Sequence, residues 1–224
     1  MADKAPSLWS MVLVPAVLTL IVSIVRLVGE LQGWNDMLFG NQAPGPESKP
    51  ALIAIIWLAP IFGCWFGWKL RKSTGGPRSL GKASLLFVIG TAIMIGGMAG
   101  LVTSGLLVMP SAEAPGPVVG MNYFLGLMGV SALVMIAAWP RLASTLIVYG
   151  ILARLPVVAI TYVAIEKAWD THHTKLVPGL ILPAGDSKFL ALAMPQVTFW
   201  IVGTLMLGGL FGCLGALLAG NRSK

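Results

Sequence analysis

The chain has 224 residues, 57% of them hydrophobic and only 10% charged, with a mean hydropathy of +0.87. A water-soluble domain carries roughly 25% charged residues, so this composition excludes one and points to a helical bundle in a bilayer. The net charge of +7 does not indicate nucleic acid, because the basic residues sit in short segments between apolar runs, where they act as orientation signals.

The first apolar run, 8–30, is longer than the roughly 7–15 residues of a signal-peptide core, and it predicts an uncleaved first transmembrane helix. A polar loop rich in Gly and Pro follows, then a second span at 51–70 that ends on Trp68 and Lys69. RKSTGGPRSLGK comes next, the most basic and turn-rich stretch of the chain. The third span, 83–109, exceeds the ~20 residues a bilayer needs and is broken by Pro110, Pro115 and Pro117. The fourth, 118–139, turns sharply at Pro140 and Arg141 into the fifth, 142–165. A loop containing DTHH then leads to the sixth, 189–219. The predicted fold class is therefore an all-α membrane protein, one bundle of six transmembrane helices over 1–224, with the N- and C-termini both cytoplasmic.

The orientation follows from Lys and Arg outside the spans. With the N-terminus inside, nine fall on the inner side (Lys4, Lys69, Arg71, Lys72, Arg78, Lys82, Arg141, Arg222, Lys224) and four on the outer (Lys49, Lys167, Lys175, Lys188). That bias is the positive-inside pattern of a plasma-type membrane, here read as a bacterial inner membrane.

Small residues at a spacing of four let helices approach closely in lipid. Gly63 and Gly67, Gly96 and Gly100, and Gly208, Gly212, Ala216 and Gly220 are the helix-packing candidates. They fit contacts within one bundle or a face for a second copy. Cys64 and Cys213 lie inside apolar spans and read as packing residues, with no disulfide framework and no metal-binding CxxC.

Catalytic chemistry is not predicted. His172 and His173 both lie outside the spans, so no intramembrane histidine is available for haem or chlorophyll ligation, and no phosphate-binding glycine loop occurs. The DTHH histidines read as a solvated loop. The expectation is no cofactor and no metal.

Two places carry charge where a span should be apolar. Arg26 and Glu30, four residues apart on one helix face, form an outer-rim ion pair, read either as a snorkelling arginine beside a helix-end acid or as a gate. Arg154 lies near the middle of the fifth span, two residues before Pro156. A charge at that depth costs ~2.5 kcal/mol or more. Glu166, twelve residues on, is about 18 Å away along the helix. Gly150 and Thr161 share the face of Arg154, so that face turns inward. Gln196 and Thr198, beside Pro195, place a polar cluster in the outer half of the sixth span. Arg154, Thr161, Gln196 and Thr198 are thus the ligand-binding candidates. Arg154 either ties helices together through backbone carbonyls, such as that of Ala191, or meets an anion from outside. The expected function is a non-catalytic protein that binds or transports an anionic or amphiphilic small molecule or lipid. The alternative is an accessory subunit of a membrane complex. Expected partners are membrane lipids and other membrane subunits or a second copy.

Overall fold

A computed structural model of the chain describes residues 6–43, 51–73 and 75–220. Lys4, Lys49, Arg222 and Lys224, which enter the charge count above, lie outside the described residues. Among these residues the protein is all-helical apart from two isolated bridges, and five segments are long and apolar enough to cross a membrane.

Helix α1 (Leu8–Leu31) begins where Ser7 accepts the Ser10 N–H at 3.2 Å, satisfying one of the first-turn donors. A single-turn helix, α2 (Asp36–Phe39), folds back over its C-terminal end and seats Phe39 in the space that Gly29 leaves. Helix α3 (Leu58–Lys72) is preceded by a 3-10 turn at Ile55–Trp57. Its 15 residues span about 22 Å, less than a bilayer core, so α3 is not among the five long segments.

Helix α4 (Leu80–Thr103) stops six residues before the expected end of the third span, 83–109. Gly105 takes a left-handed conformation (φ +71°) and donates its N–H to Val102 O at 3.1 Å, which closes the helix. The chain then pairs Val108 with Val119 before entering α5 (Met121–Ala138). At Gly120 (φ +80°) a side chain would strike the Leu106 carbonyl, so α5 starts three residues later than the expected 118. Pro140 opens α6 (Pro140–Glu166), where its missing N–H leaves nothing unsatisfied.

The expected single span 189–219 is two helices. Helix α7 (Lys188–Val197) and helix α8 (Phe199–Leu218) meet at Thr198, whose backbone (φ −117°, ψ −83°) leaves the helical region.

Helix α8 is the hub, and its glycines explain why. A side chain on Gly63 would meet the backbone of Gly208, and one on Gly67 the backbone of Gly212, so α3 and α8 cross at backbone contact. Leu146 and Leu142 of α6 fill the space beside Gly208 and Gly212, and Phe87 of α4 fills that beside Gly209. Three helices therefore close on α8 at its glycines and form the core around Phe66, Phe87, Trp139, Leu142, Leu146 and Leu205. Helix α5 is tied to α4 by Ser131 Oγ, which donates to Gly90 O at 2.7 Å. Ala216 is buried, whereas Gly96 and Gly100 face open space and Gly220 (φ +70°) ends α8 without a packing neighbour. A side chain added at any of those three positions would meet nothing within 4 Å.

The outward faces are apolar. Leu13, Val14, Val17, Leu85, Val88 and Leu133 are each more than half exposed. Apolar surface on this scale is not left in water by soluble proteins, and lipid chains suit it.

Candidate functional site

The polar residues of the bundle gather at two depths. The deeper group centres on Arg154, fourteen residues into α6. Its Nη1 donates to Gln196 Oε1 at 3.0 Å, and its guanidinium lies 4.7 Å from the centre of the Trp200 ring. Arg154 is 93% buried by its 7% relative exposure, and no carboxylate pairs with it among the described residues. The tie to the Ala191 carbonyl is not formed.

The helix break adds to this. Thr198 N–H still donates to Met194 O, and the ladder resumes with Ile201 and Val202, which both donate to Thr198 O. The N–H groups of Phe199 and Trp200 lie outside that ladder. They form the N-terminus of α8, where backbone dipoles favour negative charge. Unpaired amides in a hydrocarbon layer are costly, and broken helices inside membranes occur where the backbone is protected or serves a ligand.

Thr161 and Thr198 do not belong to this donor set. Thr161 Oγ1 donates to Val157 O at 2.8 Å and Thr198 Oγ1 to Met194 O at 2.7 Å. A hydroxyl has one proton, so neither retains a donor for an anion. Two residues absent from the sequence expectations stand nearby instead. Trp200 supplies the ring face on which the guanidinium rests. Tyr149, five residues earlier on α6, donates to Thr19 Oγ1 of α1 at 2.9 Å, since Thr19 uses its own proton on Pro15 O. The Tyr149 ring meets Phe62 and Phe66 edge-on, with centroids 5.5 and 5.7 Å away. It closes the side of the site toward the N-terminal half of α6 with aromatic packing.

The second group lies at the C-terminal end of α1, against the segment that follows α6. The Glu30 side chain is fully buried and accepts three donors. These are Arg26 Nε at 2.8 Å, the His172 N–H at 2.9 Å and His172 Nδ1 at 2.5 Å. Arg26 also reaches Gly40 O at 3.4 Å. The His173 ring lies against that of His172, centroids 3.9 Å apart, and is itself buried. The DTHH segment is therefore no solvated loop: it folds onto α1 and is held further by Lys175–Asp170 at 3.0 Å and Asn41–Asp170 at 3.2 Å. Among the described residues no three His, Cys, Asp or Glu side chains are placed to hold a metal ion.

Burial pushes both imidazoles below the ordinary histidine value of 6.5. For His172 the Glu30 carboxylate works against that shift, while Arg26 already balances the carboxylate and favours a neutral ring. His173 is lowered further by His172 and Arg26. A ring that resists protonation in the fold but accepts a proton when unfolded destabilises the fold in acid. This contribution is intact above 6.5 and is lost as the pH falls below it toward the lowered folded-state values. The melting temperature of the extracted protein is accordingly expected to drop between about pH 7 and about pH 5, and a His172→Gln, His173→Gln double variant to flatten the profile. A wild-type profile without that drop would mean that the rings are already charged in the fold.

Two hollows are open to the outside. One of about 230 Å³ is lined by Val14, Pro15, Ile61, Phe62 and Trp65, between α1 and α3. The other, of about 310 Å³, lies at the C-terminal end of α6 beside Trp169, Asp170 and Lys188. Arg154 lines neither. Chemically, the deep group is a set of hydrogen-bond donors with one positive charge and no acid, whereas the second group is internally neutralised. No family model, curated protein or solved structure matches the chain.

Proposed function

We propose that the protein is a non-catalytic, six-span integral membrane protein that binds, and in a transport cycle passes, an anionic or amphiphilic molecule at Arg154. The span beyond the five long segments is the second in chain order, α3 with its preceding 3-10 turn. That arrangement, with both termini cytoplasmic in a bacterial-type inner membrane, is supported by the nine-to-four charge bias. One observation carries the functional reading: Arg154 is buried near mid-helix with a single hydrogen bond and no acidic partner among the described residues. Buried charges are normally paired, so the missing negative charge is supplied by the ligand. Neither of the two hollows described reaches Arg154; the proposed entry is the seam between α6 and the α7–α8 break.

Native mass spectrometry of the gently extracted protein tests this. The wild type is expected to retain an anionic adduct that the Arg154→Gln variant lacks. Bare wild-type protein, or the same adduct on the variant, would remove the basis of the proposal.

A second reading, an accessory subunit or self-associating protein, is favoured by a separate feature. Gly96 and Gly100 on α4, with Gly126 and Gly129 on α5, have open space where side chains would stand. Close-approach surfaces of this kind suit another helix. The same spectra would show a partner or a dimer in place of the adduct.

A further inference from the structure

The donor geometry at Arg154 narrows the ligand class. This step rests on the anion-binding reading above. With Nη1 committed to Gln196 and one face of the guanidinium on Trp200, the Nε–Nη2 edge is what remains. It has no acceptor among the described residues, and both atoms keep some exposure, so the edge is not sealed inside the bundle. Two parallel N–H groups on one edge match the two oxygens of a carboxylate.

Charge points the same way. Arg154 is one positive charge, and the other described cations lie toward the helix ends. A carboxylate neutralises it. A phosphate monoester, which carries about −1.5 to −2 at neutral pH, would leave net negative charge in a medium that penalises it.

Depth adds a third constraint. A carboxylic acid titrates near about 4, so a small fraction is the uncharged acid that can enter hydrocarbon; as the carboxylate pairs with the already protonated arginine, its proton passes to bulk water. Permanently ionised groups have no such route. The surroundings fit an apolar body, since Leu155 next to Arg154 and Met194 and Val197 next to Gln196 are all exposed to the lipid side.

We infer that the site takes a monocarboxylate with an apolar body, its carboxylate on the Nε–Nη2 edge of Arg154 and its chain along the outer surface of α6 and α7. The test is thermal melting of the detergent-purified protein titrated with decanoate, decyl phosphate and decyltrimethylammonium. Decanoate is expected to raise the melting temperature by several degrees, decyl phosphate by clearly less at equal concentration, and the cation not at all. In Arg154→Lys, which keeps the charge but loses the fork, the decanoate affinity should weaken about tenfold or more. An equal or larger response to decyl phosphate overturns the carboxylate assignment and leaves the anion site standing. No response to either anion overturns both. A wild-type measurement backs up the variant: decanoate labelled with 13C at its carboxyl should stay ionised to lower pH when bound than in protein-free micelles. An unchanged titration would contradict the pairing even if the lysine variant fails to fold.

Discussion

Replacing Gly67 by leucine is expected to leave no folded bundle. A side chain at this position meets the Cα, carbonyl carbon and oxygen of Gly212, all backbone atoms that cannot swing aside. Overpacking a core against movable side chains already costs about 1–3 kcal/mol. Here α3 must separate from α8, the helix on which α4 and α6 also pack, so the loss exceeds that range and approaches the ~5–15 kcal/mol that holds a typical domain together. Gly96→Leu is the matched control: it sits on α4 in a second GxxxG pair, but with open space around it, and should change stability by no more than about 0.5 kcal/mol. Melting temperature and the monodisperse fraction after extraction report both variants. Equal behaviour of the two would mean that α3 and α8 do not cross at these glycines.

Glu30→Leu is expected to be the most damaging change at the C-terminal end of α1. The buried carboxylate receives Arg26 Nε and two donors of His172. Its removal leaves those donors facing an apolar group and releases the loop after α6 from α1. Breaking a buried pair by deleting one partner costs about 3–5 kcal/mol, and the low end applies because Arg26 and His172 keep some contact with water. Glu30→Gln retains a carbonyl oxygen and should fall between wild type and leucine. A melting temperature for Glu30→Leu within a degree or so of wild type would show that the cluster does not hold that end.

These effects differ in how visible they were in the sequence. The long helices could be read from apolar runs, and Arg154 from a charge where none belongs. Gln196 was legible as a polar residue beside Pro195, though its role as the acceptor for Arg154 was not. Trp200 and Tyr149 were lost among apolar neighbours, because a ring in a span reads as lipid-facing or packing until its contacts are known. The break at Thr198 escaped because Pro195, three residues earlier, accounts for a kink without requiring the helix to stop. The histidine loop escaped for a different reason: Glu30 and His172 are 142 residues apart, and no local pattern brings them together. Likewise Gly63–Gly67 and Gly96–Gly100 carry the same spacing, yet only the first pair meets a backbone. Spacing creates the opportunity for contact, and the path of the chain decides whether it is used.

The Arg154 reading separates a charge kept for a ligand from a charge kept for the fold. In the first case the buried cation is a burden on the empty protein. Its one hydrogen bond and its ring contact, together roughly 2–4 kcal/mol, offset only part of a desolvation penalty of several kcal/mol. The melting temperature of ligand-free Arg154→Leu is therefore the most direct measurement. It is predicted to equal or exceed that of ligand-free wild type, and to stay unchanged when decanoate is added. A variant that melts well below wild type, or fails to fold, would contradict the account and make Arg154 a structural tie between α6 and the α7–α8 break.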